Sequence, residues 1–337
     1  MFNGKSVFVS GGTGSFGRKF VNILLERYDL ARLVFYSRDE LKQFEMQQEV
    51  NAPCIRWLIG DVRDGARLIE ATRGIDCIVH AAAMKQVTAS EYNPTECIHT
   101  NIHGAENIVA AALANNVEQV IALSSDKAAN PINIYGATKL ASDKLFIAAN
   151  NMAGKRRTAF SVVRYGNVAG SRGSVVPFFE KLIAQGATTL PITDTAMTRF
   201  WISLQESVDF VLKCFQLMQG GEIFVPKLPS IRIVDLATAM APHLPQNLIG
   251  IRPGEKLHEI LCPADNSHLT LEFSDHYVMR PSINFHDRGC DYSENRLGET
   301  GAPVARGFEY NSGTNPVRYS VEQIREFYER TKKRTKT

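Results

Sequence analysis

The sequence predicts an α/β fold: a Rossmann-like, doubly wound parallel sheet with a smaller C-terminal lobe that binds substrate. Three observations predict it. Short apolar runs alternate with helical patterns through the first half of the chain. These runs are apolar at nearly every position, as strands buried on both faces are. The first run leads into a glycine-rich turn that opens a helix, which is the strand–turn–helix order of a nucleotide-binding sheet.

The elements follow in order. Strands are expected at 7–9, 33–36, 57–59, 77–80, 120–123 and 160–164, with helices near 16–27, 40–50, 64–72, 95–115 and 136–152. Strict alternation of this kind builds a parallel sheet covered by helices on both faces. After Gly166 the pattern loosens. Gly, Pro and Arg cluster at 170–174 and again at 251–256, with helices expected near 175–185, 204–218 and 233–241. This half reads as a lobe closing over a substrate. The chain thus divides into a dinucleotide-binding domain over 1–168 and a mainly substrate-binding lobe over 169–337, some of whose elements return to the main domain. Residues 310–337 end in Lys- and Arg-rich sequence and read as a solvated helix end or tail. No internal repeat or low-complexity tract is present.

A chain of 337 residues can hold one large core or a main domain with a smaller appended one. A formal charge of +3 gives no reason to expect a nucleic-acid or membrane surface. The six cysteines lie far apart with no CxxC pair, which fits reduced, inert thiols in a cytoplasmic protein. The N-terminus runs directly into the first strand and no apolar span approaches membrane length, so neither a signal peptide nor a membrane helix is expected. No His, Cys and Asp cluster has metal-ligand spacing, and no metal is expected.

Ser10 to Gly17 carry the glycines Gly11, Gly14 and Gly17 at GxxGxxG spacing, with Thr13, Ser15 and Phe16 between them. Small residues let backbone approach a pyrophosphate, and the helix N-terminus offers it free N–H groups. The bland alternative is a tight turn without a ligand. The end of the second strand selects the dinucleotide. An NAD site places an acid there for the ribose 2′-OH. This chain has neutral Ser37 followed by Arg38, with Lys42 close behind, as a 2′-phosphate requires, so NADP is expected. Against this, Arg38 and Lys42 could be a solvated helix start with Asp39 as its cap. Asp61 and Val62 are placed at the adenine edge, and Ala81, Ala82 and Ala83 let a cofactor lie flat on backbone.

Ser124, Ser125, Asp126 and Lys127 follow the fifth strand, at the edge of the sheet where ligands bind. Tyr135 and Lys139 open the next helix, one turn apart on one face. A phenol with a pKa of about 10 is a poor base at neutral pH. A lysine one turn away lowers that pKa and can grip the nicotinamide ribose. A lone YxxxK is common by chance, and Asp126 with Lys127 could be a surface ion pair. The glycine turn and strand order supply the context that such a motif needs.

The YxxxK pair after a GxxGxxG turn resembles the extended, nucleotide-sugar-modifying branch of the short-chain dehydrogenase/reductase superfamily. Asp126-Lys127, where retaining dehydratases carry Asp-Glu, resembles the inverting UDP-N-acetylglucosamine 4,6-dehydratases. Residues 36–43, 81–85, 130–131, 164–168, 171–177 and 252–259 agree, so the resemblance covers roughly residues 1–280. It is nearest to the short members that begin pseudaminic acid synthesis for flagellin and surface sugars.

The resemblance implies oxidation of UDP-N-acetylglucosamine at C4 by tightly bound, recycled NADP, loss of water across C5–C6, and hydride return to C6 with inversion at C5. Tyr135 with Lys139 would take the O4 proton, Lys127 the C5 proton as a neutral amine, and protonated Asp126 would serve the departing C6 hydroxyl. The lysine would need a depressed pKa, from Lys139 or from desolvation. Lys85, Asn167, Arg199, Arg252 and Glu255 fall at substrate positions, His258 supports its loop, and a homo-oligomer is implied. Two departures stand out: Ser125 replaces the usual Thr, and Gln86 a frequent His. The competing readings are a UDP-hexose 4-epimerase, which needs no base at C5, and a non-catalytic NADP-binding scaffold.

Overall fold

The computed structural model describes residues 1–154, 158–283 and 290–334. Its first half alternates as the apolar runs require. β1 (Ser6–Ser10), α1 (Ser15–Arg27), β2 (Arg32–Ser37), α2 (Glu40–Glu49), β3 (Ile55–Ile59), α3 (Gly65–Ala71) and β4 (Cys77–His80) come first. After β4 the chain makes two short helices, α4 (Val87–Tyr92) and α5 (Pro94–Ile98), then a π-helical turn (His99–His103) and α6 (Gly104–Ala114). β5 (Gln119–Leu123), a 3₁₀ turn (Asp126–Ala128), α7 (Ile134–Ala153) and β6 (Ala159–Val163) complete this half.

The spatial order β3-β2-β1-β4-β5-β6 is all parallel and reverses direction between β1 and β4. Such a reversal leaves a crevice at the carboxyl ends of the two strands. The glycine turn after β1 and the alanines after β4 both open into it.

The second half supplies β7 (Asn167–Val168), α8 (Val175–Ala184), β8 (Leu190–Ile192), β9 (Thr198–Ile202), α9 (Leu204–Leu217) and β10 (Ile223–Pro226). There follow β11 (Ser230–Arg232), α10 (Ile233–Met240), β12 (Gln246–Leu248), β13 (Ile260–Cys262), β14 (Thr270–Glu272), β15 (His276–Met279), β16 (Ala302–Pro303), β17 (Tyr310–Asn311) and α11 (Val321–Arg334). β10 pairs parallel to β6, and β15, β14 and β16 continue outward as antiparallel strands, giving a ten-stranded sheet. β11, β9 and β7 form a separate small sheet.

Two hydrophobic cores result. The larger fills both faces of the main sheet. The smaller gathers Val176, Phe179, Leu190, Trp201 and Leu236 around Ile324 and Phe327 of α11.

The structure corrects three expectations. The single helix near 95–115 is interrupted by the π-helical turn, because Asn101 turns into the core. Its side chain accepts from the Met84 N–H at 2.8 Å and donates to the Met84 carbonyl at 2.9 Å and to Thr138 Oγ1 at 3.0 Å. The helix expected from 136 begins at Ile134, because the Asn133 side chain caps it by accepting from the Gly136 N–H at 2.7 Å. The stretch read as a solvated helix end or tail holds a whole helix, α11, whose Ile324 and Phe327 are not solvated but buried against α10. Charge-rich composition hid the apolar stripe of an amphipathic helix. No helix among the described residues is long and apolar enough to cross a membrane.

Candidate active site

The reactive turn is built where β5 ends. The Ser124 N–H donates to the Val163 carbonyl at 2.7 Å and the Asp126 N–H to the Tyr165 carbonyl at 3.2 Å, which extends the pairing with β6 past Leu123. Ser125 then caps the 3₁₀ turn, its Oγ accepting from the Lys127 N–H at 3.3 Å. A second layer is fully buried: Ser124 Oγ and Arg164 Nη2 both donate to Asp143 Oδ2, at 2.8 and 2.9 Å. α7 lies close over this turn. A Cβ on Gly136 would overlap the Lys127 carbonyl oxygen, so only glycine lets the helix bring Tyr135 down to the strand ends.

The side chains form a relay. Ser125 Oγ donates to Asp126 Oδ1 at 2.8 Å. Lys127 Nζ donates to Asp126 Oδ2 at 3.0 Å and to Asn167 Oδ1 at 3.2 Å. It also lies 3.2 Å from Glu259 Oε1, whose other neighbour is Arg199 Nε at 3.6 Å. Asp126 is 1% exposed and Glu259 2%.

Burial raises the Asp126 carboxyl above its ordinary range, against the pull of the Lys127 charge. For Lys127 the balance goes the other way. Burial lowers the ammonium, but Asp126 and Glu259 together hold it above its ordinary value. This corrects the expectation of an amine depressed by desolvation or by Lys139: two carboxylates face it instead. Tyr135 is pushed up to about 12 by burial, with the Ser125 hydroxyl and the Lys127 charge pulling down. Lys139 is not among the groups lowering the phenol. Its Nζ donates to the Leu123 carbonyl at 2.7 Å, and burial lowers its own pKa.

The glycine turn fits a dinucleotide. Gly11 has a φ of 68°, and a Cβ there would sit 2.8 Å from the Ala82 nitrogen. A Cβ on Gly17 would overlap the Gly12 backbone. Gly14 stands at the N-cap of α1 with no side-chain cap, leaving the first amides of that helix for an anion. Beyond it, Thr13 Oγ1 and Ser37 Oγ share a hydrogen bond of 3.0 Å. Asp39 caps α2 and pairs with Lys42, while Arg38 is exposed and 3.6 Å from Asp61. The Asp61 carboxylate is also engaged by Arg63 at 2.7 Å.

One cleft of about 1110 Å³ joins the turn to the relay, and every candidate residue from the sequence lines it. A typical single-ligand pocket holds about 300–1,000 Å³, so this one has room for two bound molecules side by side. On the far wall, exposed Arg252 pairs with Glu255 at 3.0 Å. Arg199 is buried, donating to the Thr198 and Leu257 carbonyls at 2.7 and 3.2 Å. His258 Nδ1 and Thr198 Oγ1 are 2.8 Å apart, tying its loop to β9. Among the described residues no group of three or more His, Cys, Asp or Glu side chains could hold a metal ion.

The sequence pattern of a family described as "Polysaccharide biosynthesis protein" matches residues 7–281. The chain belongs to that family. The chain is 59% identical to the UDP-N-acetylglucosamine 4,6-dehydratase (inverting) of Campylobacter jejuni subsp. jejuni serotype O:2, over 98% of this chain and 99% of that one. It is 40% identical to the UDP-glucose 4-epimerase of Rickettsia conorii, over 97% and 96%. Among solved structures, Pen from Bacillus thuringiensis superposes with a TM-score of 0.89 at 34% identity, over 98% of this chain and 99% of that one. The dTDP-glucose 4,6-dehydratase DesIV of Streptomyces venezuelae shares the fold alone, with a TM-score of 0.67 at 21% identity over 75% and 86%.

This member of the polysaccharide biosynthesis protein family holds site residues that sequence reasoning missed: Glu259, Asp143 and Lys256. Glu259 lies in the 252–259 segment, in which the resemblance points to Glu255. A signal existed, since both glutamates follow an Arg-Pro-Gly turn. Only the tertiary fold shows which of them reaches Lys127.

Proposed function

We propose that the protein is an inverting UDP-N-acetylglucosamine 4,6-dehydratase working with NADP. The observation that carries this reading is the Asp126–Lys127 pair beside Tyr135, its aspartate buried and its lysine partly open to the cleft, in a chain 59% identical over nearly its whole length to a protein of that activity. A 4-epimerase has no use for an acid–base pair beyond the tyrosine.

When bound, NADP⁺ would supply a reversible hydride store between C4 and C6 of the sugar. Gly11, Gly14 and Gly17 would hold its pyrophosphate, and Ser37, Arg38 and Lys42 its 2′-phosphate. The absence of an acid at Ser37 supports the phosphorylated form. The chain's own groups do the rest. Tyr135 removes the O4 proton as its phenolate, after losing its own proton to solvent through the open cleft; the Ser125 hydroxyl and the Lys127 charge favour that form against burial. The ketone at C4 acidifies C5–H. Lys127 then takes that proton, which requires its own proton to go elsewhere first. Asp126 lies 3.0 Å away and has a raised proton affinity. One transfer from Lys127 to Asp126 converts an ion pair into a neutral amine and a neutral acid, with no change in the proton count. The acid protonates the departing C6 hydroxyl, which leaves as water. A proton reaches C5 from the opposite face, giving UDP-2-acetamido-2,6-dideoxy-β-L-arabino-hex-4-ulose.

Asn167, Lys85, Arg199, Arg252 and Glu255 line the part of the cleft left for the UDP-sugar. Arg252 and Glu255 would exchange their mutual pair for diphosphate and ribose hydroxyls. A homo-oligomer, a cytoplasmic location and use of the product for pseudaminic acid belong to the same reading.

Proton NMR with UDP-N-acetylglucosamine in deuterated water tests it. A new C6 methyl signal with deuterium at C5 is expected, and Tyr135→Phe should slow its appearance by about 10²- to 10⁴-fold. Formation of UDP-N-acetylgalactosamine without a methyl signal would make the protein an epimerase. No change with NADP supplied would sink the reading.

A further inference from the structure

Residues 254–259 reach across from the second half of the chain and clasp the reactive turn at three points. The Gly254 carbonyl accepts from Asn133 Nδ2, at the cap of α7, at 2.7 Å. Lys256 Nζ donates to the carbonyl of Ala129, just past the 3₁₀ turn. Glu259 Oε1 meets Lys127 Nζ. Glu259 is itself fixed: its N–H donates to Ser312 Oγ, and its carbonyl accepts from the Ser312 N–H, both at 2.8 Å. Its Oε2 is buried and has no hydrogen-bond partner among the described residues. Glu259 stands in the wall of the cleft but is almost wholly buried, and its carboxylate faces Lys127.

An ammonium has three N–H donors. Here Asp126 and Asn167 accept one each, and Glu259 Oε1 lies 3.2 Å from the nitrogen as an ion-pair partner. When one proton passes to Asp126, the nitrogen is still held by its hydrogen bond to Asn167 and stays beside the Glu259 carboxylate. The lone pair then opens on the Asp126 side, where the C6 hydroxyl must sit. Acid and base thus meet the same C5–C6 edge of the sugar, as loss of water across that bond demands.

We propose that Glu259 is a positioning residue that aims Lys127 at C5 of the sugar from across the lobe boundary and retains its proton until the substrate is in place. This rests on the dehydratase reading above. The charged and titratable groups facing Lys127 are Asp126 on its own turn, Tyr135 on α7, Arg199 on β9, and Lys256 and Glu259 on the clasp. Of these, Asp126 and Glu259 are the acids that hold the ammonium charged.

Two variants separate charge from aim. Glu259→Gln keeps the shape and an acceptor oxygen but removes the charge. The limb of the kcat–pH profile that reports loss of the lysine proton should move to lower pH by about one unit or more. Glu259→Ala removes the anchor as well. Its kcat should fall about 10- to 100-fold, with the KM for UDP-N-acetylglucosamine near that of the wild type. The position of a pH limb does not depend on how much of the protein is folded. An unmoved limb in Glu259→Gln, or a loss in Glu259→Ala that tracks loss of folded protein, would overturn the proposal. A wild-type protein that yields no 6-deoxy product fails at the earlier step, and the dehydratase reading falls instead.

Discussion

At the scale of single residues, burial sets proton affinities and neighbours decide which way they move. Lys127 and Asp126 share one environment, yet both are raised, the lysine by two carboxylates and the aspartate by desolvation. His80 shows burial acting nearly alone. Ser10 Oγ accepts from the Ala81 and Ala82 N–H groups at 3.2 and 3.3 Å, so its own hydrogen goes to His80 Nδ1 at 2.8 Å. Burial, with the Lys139 charge second, lowers the ring from 6.5 to about 3. Between these values the unfolded chain binds a proton that the folded chain refuses. Stability is therefore complete above about pH 6.5 and falls as pH drops toward 3, by up to about 1.4 kcal/mol per pH unit. Urea unfolding of wild type and His80→Gln at descending pH checks this: the wild type should lose stability faster, and the gap between the two should narrow. Parallel curves would show that His80 is not the group responsible.

At the scale of elements, the catalytic geometry is a turn held under a helix. Gly136→Ala should cost about 1–3 kcal/mol by overpacking, despite alanine's better helix propensity. It should also lower kcat, because the Cβ presses on the carbonyl of Lys127 itself. Unfolding and turnover measured on the same preparation check both. Much of this element was legible in the sequence. Tyr135 and Lys139 are four apart, Asp126 and Lys127 directly follow an apolar strand, and the glycine spacing marks the anion turn. What was not legible depends on contacts distant in sequence. The π-helical turn leaves the apolar periodicity on either side intact, and Asn101 is drawn inward by Met84 and Thr138 from other elements. Lys127 reads locally as half of an ion pair with Asp126. Its second carboxylate arrives from Glu259, in the other half of the chain.

At the scale of the whole molecule, α11 closes the smaller core. Phe327 is 4% exposed and packs near Trp201, on the strand that carries Arg199. Phe327→Ala should destabilise by about 3–5 kcal/mol, measured by chemical denaturation. A change below about 0.5 kcal/mol, typical of a surface site, would mean that the helix is only lightly held. The doubly wound sheet was readable from the apolar runs, because all but the edge strand β3 are largely buried. The outward growth of the sheet was not, since β14 and β16 are too short to show a pattern. That growth bears on how such proteins can be recombined. β10 is bonded to β6 at Ile223–Val162 and Phe224–Val163, so the halves share one continuous ladder. A chimera spliced after residue 168 must match that register as well as its new cleft. New sugar preferences in this lineage are thus more readily reached by point changes in the loops than by trading the second half as a cassette.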